Sequence, residues 1–450
     1  LDNAVVATAA PTVVGDLGGL DRYAWVFTAY LLSSTASVPL YGKLADLYGR
    51  KRVFLAATST FVVGSALCGL APSMDALIGF RFVQGLGAGG LYPLTLVIIG
   101  DTFALQQRAR LLGLFSALWG VADVMGPAVG GFLTEQVSWR WVFYLNLPLC
   151  LASMLLISTY LREEFERKVV RVDYPGAALL TGAIAAFLLW LQFVGLIPLL
   201  VVSVALGIGF VLRERRAPEP LLPLELFRRR VISVSAINRV LVGVVLFGQP
   251  AFVPPFLQGA MGVPPTLAGF VLSGTAIGWA IAANASGRTI LRWGYLPTGI
   301  VGGALLCLGF GLLRVLEPSA SLAWATTVQV VIGLGFGAGT AVTFLAMQNA
   351  VDWEQRGIVT SIGQLAMNVG GTLGVTLAGA LFALALNASS GADLVSDILS
   401  PDRGAALDLA QRTAGRSLLA EALSPVYSLF VGVTLAGLGV MALLPRGRPE

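Results

Sequence analysis

Asp2, Arg81 and Asp123 are ionisable residues that stand where the chain is otherwise apolar. Asp123 lies in "GVADVMGPAVGG", Gly120–Gly131, with glycines and a proline directly after it. A carboxylate at the centre of a bilayer costs a few kcal/mol or more, and such residues mark ion or substrate paths. Removal from water favours the protonated carboxyl, so a group at that depth can take up and release a proton. The competing reading makes Asp123 a structural acid satisfied by a neighbouring helix. Bond-making chemistry finds no candidates. The chain has no histidine, no metal-ligand cluster, no nucleophile–base pair and no GxxxxGK[ST] phosphate loop. We expect neither an enzyme nor a cofactor, a metal site or an ATP drive.

The elements that hold these residues follow from composition. Hydrophobic residues make up 56% of the 450 residues and charged residues 12%, against about a quarter charged in a soluble chain. Apolar runs of roughly twenty residues recur, as membrane helices require. The 54 glycines and the lack of alternating ten-residue segments favour helices over a barrel. The reading is all-α and integral to the membrane, with fourteen spans: 1–15, 24–41, 53–72, 77–100, 109–133, 141–161, 175–193, 196–212, 231–257, 266–286, 298–314, 322–349, 357–386 and 425–444. Segment 1–15 is short for a span, so the first helix is expected to begin before Leu1; no cleavable signal peptide is visible. With both termini cytoplasmic, the inner loops hold 21 of the 29 Lys and Arg residues. The outer loops hold Arg22, Arg140, Arg314, Arg403, Arg412 and Arg416, and Arg81 and Arg239 lie in or near spans. That bias explains the net charge of +5 without nucleic acid. Cys68, Cys150 and Cys307 all lie in apolar segments, which argues against a disulfide framework.

The chain repeats itself at a spacing of 245 to 248 residues. "RARLLGLFSALWGVADVMGPAVGGFL" from Arg108 aligns with "RGIVTSIGQLAMNVGGTLGVTLAGAL" from Arg356, and "QGLGAGG" at Gln84 with "IGLGFGA" at Ile332. Two pseudo-symmetric six-helix bundles follow, 1–161 and 231–450, joined by 162–230 with an inserted helix pair; the second carries a long outer loop, 387–424. Parallel halves suit alternating access around a central site. The ionisable groups are not repeated: Asp123 aligns with Gly371, Arg81 with Gln329 and Asp46 with Leu291.

These stretches resemble the major facilitator superfamily. "GKLADLYGRKR" (Gly42–Arg52) resembles its signature loop, "RFVQGLGAGG" (Arg81–Gly90) its fourth-helix motif and "GPAVGG" (Gly126–Gly131) its antiporter motif. "LDNAVVATAAPTV", "SWRWVFYLNLP" (Ser138–Pro148) and "FLQGAMGVPPTLAGFVL" (Phe256–Leu272) look like the fourteen-helix drug:proton antiporter branch. The resemblance covers nearly the whole chain. It implies a proton-relay role for Arg81, a dynamic role for the antiporter motif and a latching contact for the signature loop. That motif does not demand an acid at Asp123, so Asp123 is argued from chemistry alone.

At 100° per residue Gly120, Asp123, Gly126, Pro127 and Gly130 share a helix face, with Gly131 beside them. Small residues let another helix approach, and Pro127 removes a backbone hydrogen bond near Asp123 or Val124. A kinked, sliding contact is expected; a static close-packed crossing is the alternative. Asp123 and Asp2 would lie about 18 and 20 Å below the outer surface, and Arg81 about 9 Å, with Gln84 bridging as a supporting relay. Otherwise Arg81 snorkels to the outer headgroups. In the signature loop, Gly42 and Gly49 permit tight turning, and Asp46 can sit against a helix N-terminus. Lys43, Arg50, Lys51 and Arg52 read mostly as topology and anionic-lipid contacts.

The expected function is a proton-coupled exporter of amphipathic or cationic small molecules, a monomer in the cell membrane. Its cavity would be lined by Trp119, Phe247, Gln249, Gln364 and Asn368. A lipid exporter on the same scaffold and a non-transporting receptor are the alternatives.

Overall fold

The computed structural model describes residues 2–103, 105–161, 163, 174–192, 196–216, 224–352, 355–388 and 391–445. Among them every regular element is helical, with fifteen helices of seven or more residues. The first five are α1 (Asp2–Leu17), α2 (Trp25–Tyr48), α3 (Arg50–Gly69), α4 (Met74–Thr102) and α5 (Leu105–Gln136). A single turn, α6 (Trp141–Tyr144), precedes α7 (Asn146–Tyr160), and α8 (Tyr174–Gln192) and α9 (Ile197–Glu214) form a pair. Next come α10 (Arg230–Pro255), which runs into a π-helical turn at Phe256–Ala260, α11 (Pro265–Trp293), α12 (Tyr295–Arg314), α13 (Leu322–Asn349) and α14 (Arg356–Ala388). The chain closes with α15 (Ala392–Leu399), α16 (Pro401–Ala406) and α17 (Leu409–Ala442). Ten helical segments among the described residues are long and apolar enough to cross a membrane.

Local chemistry sets the ends. Gly18 and Gly19 stop α1 with φ of 72° and 75°, left-handed values that cost glycine little. Ser73 caps α4 by accepting from the Ala76 amide, and Asp408 with Gln411 forms a capping box on α17.

Three expectations change. The stretch Gly42–Arg52 is not a loop: α2 continues to Tyr48 and α3 begins at Arg50, so Gly49 alone, at φ 88°, makes the turn. Gly42 is mid-helix with open space beside its Cα, and no tight turn needs it there. The stretch 387–424 holds α15, α16 and the first four turns of α17, which is one helix through Pro425 where a long outer loop and a span from 425 were expected.

The chain clusters into two compact units. One gathers Leu1–Ala24, Gly120–Trp139 and Glu225–Glu450; the other gathers Trp25–Trp119 and Arg140–Leu224. In the first, α10 lies against α14 and α17, α11 against α13, and α1 against α10. In the second, α4 is flanked by α2 and α3, and α8 packs on α9.

Basic residues beside the helix ends cap them. Lys51 Nζ donates to the Ser158 and Leu161 carbonyls at 2.7 and 2.9 Å, closing the C-terminal end of α7. In return the Glu163 carboxylate accepts from the Arg50 and Lys51 amides at 2.6 and 3.0 Å, at the N-terminus of α3. Each charge sits at the helix end whose dipole favours it. Arg230 Nε likewise meets the Leu443 carbonyl at the end of α17 at 3.0 Å, and Arg229 the Ala350 carbonyl at the end of α13. Lys51 was read as a topology and lipid-contact residue; end-capping is a further role that the structure adds. Lys51→Ala or Glu163→Ala should each cost about 1–2 kcal/mol of stability, read as a lowered thermal midpoint in detergent. Arg52→Ala, an exposed neighbour, should change it by under about 0.5 kcal/mol.

Candidate functional site: an acidic face on α5 and the seam beside it

Asp123 is exposed within an apolar helix, and its direction decides what that means. The exposed apolar side chains of α5, Leu114, Leu118, Val121, Met125 and Phe132, fall within about 60° of one another on a helical wheel, and Asp123 points about 180° away. Gly120, one turn before it, has nothing within 4 Å of the position a Cβ would take. The carboxylate therefore lies exposed on the helix face turned from that apolar stripe.

One turn further the same face closes. Gly126 and Pro127 are buried. A Cβ on Gly130 would overlap the Val5 carbonyl and Thr8 hydroxyl of α1; one on Gly131 would overlap the Pro265 carbonyl of α11. The partner helix answers in kind, since a Cβ on Gly269 would overlap the Pro127 carbonyl. Ser273 Oγ donates to the Val124 carbonyl at 2.5 Å, beside the bond that Pro127 cannot make. Glu135 accepts from the Thr266 amide at 3.1 Å, at the N-terminus of α11. The pairs 124–273, 127–269 and 131–265 run in opposite directions, so α5 and α11 cross antiparallel with backbone on backbone. The close approach follows from the glycine pattern; Gly269 and Ser273, i and i+4 on α11, were the half of it that reasoning missed.

Asp2 is half-buried in the first turn of α1, in the same compact unit as Asp123. Arg81 belongs to the other unit. It is fully buried, which removes the snorkelling alternative. Its Nη1 donates to Gln84 Oε1 at 2.6 Å and its Nε to the Val26 carbonyl at 3.0 Å, and its guanidinium lies 4.1 Å from the centre of the Tyr30 ring. Gln84 Nε2 passes the network to Ser65 Oγ at 3.2 Å, which donates to the Phe143 carbonyl at 2.8 Å. Arg81 and Gln84 pair through their spacing i, i+3 on α4.

The second repeat differs at the matching places. Gln329, aligned with Arg81, accepts from Gln249 Nε2 at 2.5 Å and from Thr275 Oγ1 at 3.0 Å. Gly371, aligned with Asp123, has the Phe247 ring where a Cβ would go. Gln364 donates to Asn368 at 3.0 Å along α14. Gln249 is thus buried in a polar cluster, while Phe247, Gln364 and Asn368 are half-buried. The side chains of Asp46 and Trp119 lie outside the described residues.

A family profile for the Major Facilitator Superfamily matches residues 1–375. The chain belongs to the Major Facilitator Superfamily. Among its relatives, the multidrug transporter protein MdtP of Bacillus subtilis is 36% identical over 413 residues, covering 89% of this chain and 75% of that protein. Multidrug resistance protein 3 of Bacillus subtilis is 34% identical over 388 residues, covering 84% and 76%. In fold, the chain is similar to a bacterial homologue of the human lysosomal transporter Spinster in an inward-facing, occupied conformation. There the TM-score is 0.68 at 20% identity, over 100% of this chain and 95% of the other. Superfamily membership makes this a multi-pass membrane transporter.

Proposed function

We propose that this transporter is a proton-coupled antiporter that exports amphipathic or cationic small molecules by alternating access. The observation that carries the reading is the Asp123 carboxylate, open on the lipid-averted face of α5 and one turn from a seam of touching backbones. A site that binds a proton or a cation beside a contact that can part has the parts exchange requires. The relatives named for multidrug transport support the substrate class. On this reading α1, α2, α5 and α8 join the ten long apolar segments as fourteen crossings of the cell membrane, both termini cytoplasmic, in a monomer of two repeat-related halves. Asp2 shares the proton with Asp123. Arg81 and Gln84 act as the relay. Phe247, Gln364 and Asn368 offer the substrate an aromatic and amide wall.

The test is dye efflux from proteoliposomes under an imposed pH gradient. Efflux is expected to follow the gradient and to stop when a protonophore collapses it. Flux indifferent to the gradient would exclude proton coupling, and binding without flux would favour a receptor.

A further inference from the structure

Proline residues leave carbonyls without their helical partners, and at the end of α10 side chains distant in the chain take up the carbonyls left open there. Pro255 lacks the amide that would bond the Ala251 carbonyl four residues earlier. That carbonyl accepts instead from the Tyr23 hydroxyl at 2.5 Å. The Phe256 amide turns to Val253 as α10 passes into its π-helical turn, and the Phe252 carbonyl accepts from Tyr427 at 3.0 Å. Intramembrane carbonyls freed by proline need such partners.

The two tyrosines differ in origin. Tyr427 and α10 both belong to the second repeat, so their bond survives any motion between halves. Tyr23 comes from the short link between α1 and α2, in the first. It is buried, edge-on to Phe252 and Phe382 at 5.9 and 6.4 Å. Its neighbour Ala24 fills the notch left by Gly379 on α14, where a Cβ would overlap it. Tyr23 and Ala24 thus form a plug seated in the second repeat, at the outer end of α10 in the proposed topology.

We propose that Tyr23 is the latch of the outer gate: its hydroxyl completes the broken end of α10 only while the gate is shut. This rests on the alternating-access reading above. Opening exposes the Ala251 carbonyl, which Pro255 cannot satisfy, so the bond favours closure; Tyr427 holds the other carbonyl throughout.

The test reads gate opening without transport. Thr376, buried on α14 one turn before Gly379, is replaced by cysteine after Cys68, Cys150 and Cys307 are made serine. Its labelling by a membrane-impermeant maleimide is then timed in sealed vesicles. Tyr23→Phe, which removes one hydrogen bond, should speed labelling about two- to tenfold, and Tyr427→Phe should leave it unchanged. Gly379→Ala, which unseats Ala24 by overlap, should speed it as well, and serves if Tyr23→Phe folds poorly. The proposal fails if Tyr23→Phe labels at the parental rate, if Tyr427→Phe matches it, or if Gly379→Ala has no effect. A protein that labels as expected yet exports no dye would sink the transport reading and leave the latch standing.

Discussion

Asp123→Asn is expected to abolish gradient-driven efflux while the protein still folds and binds substrate. Asparagine keeps the shape of the side chain and removes the proton-binding oxygen. Because Asp123 is exposed on its helix face and flanked by open space at Gly120, the change breaks no packing. On the proposed reading, what it removes is the proton that Asp123 takes up and releases. For an uncharged dye, one proton crossing 100 mV supplies about 2.3 kcal/mol, enough for a substrate ratio of roughly fifty. For a monovalent cation the exchange moves no net charge, and the pH gradient is the drive. Under that potential and with an uncharged dye, wild-type vesicles should approach such a ratio, and Asp123→Asn vesicles should settle near equality. Asp123→Glu, which keeps the carboxyl one methylene further out, should restore part of the ratio. Asp2→Asn is the companion variant, separating a single coupling acid from a shared one. If Asp123→Asn concentrates dye as wild type does, the coupling role falls and Asp2 alone, or a structural role for Asp123, becomes the better account.

How much of this was legible in the sequence depended on the range of the interaction. Hydrophobic run length found α11, α13 and α14 to within a few residues, except that α11 extends to Trp293, seven residues past the expected end. The extension is polar, so an apolar window could not see it, and the same blindness placed Asp46 in a loop that is the last turns of α2. Contacts set by short spacing could have been read from the sequence: Arg81 with Gln84, and Gln364 with Asn368, are pairs one turn apart. Partners distant in the chain could not. Nothing near Val124 names Ser273, and nothing near Pro255 names Tyr23, although a proline in an apolar helix does announce a carbonyl in need of a donor. The basic residues after Gly49 illustrate a different limit. Their charge suggests a membrane side and nothing more, while only the position of Glu163 and the end of α7 reveals that Lys51 caps a helix.

Gly131→Ala and Gly120→Ala should differ sharply, although both remove a glycine from one motif on one helix. Gly120 has room for a methyl group, and the gain in helix propensity of about 1 kcal/mol offsets any small loss. Gly131 faces a peptide carbonyl of α11, which cannot swing aside as a side chain would. Overpacking of this kind costs about 1–3 kcal/mol, and Gly269→Ala, which meets the Pro127 carbonyl from the other side, should cost as much. The two losses are also expected to be less than additive. Once either methyl group has pushed α5 and α11 apart, the second finds its space already open. Thermal midpoints of the two single variants and the double variant in detergent provide the measurement. Additive losses would mean that the two contacts yield independently, and the seam would not be one surface. If the seam parts as a unit, the Ser273–Val124 bond breaks with it. Ser273→Ala combined with Gly131→Ala should then cost little beyond Gly131→Ala alone.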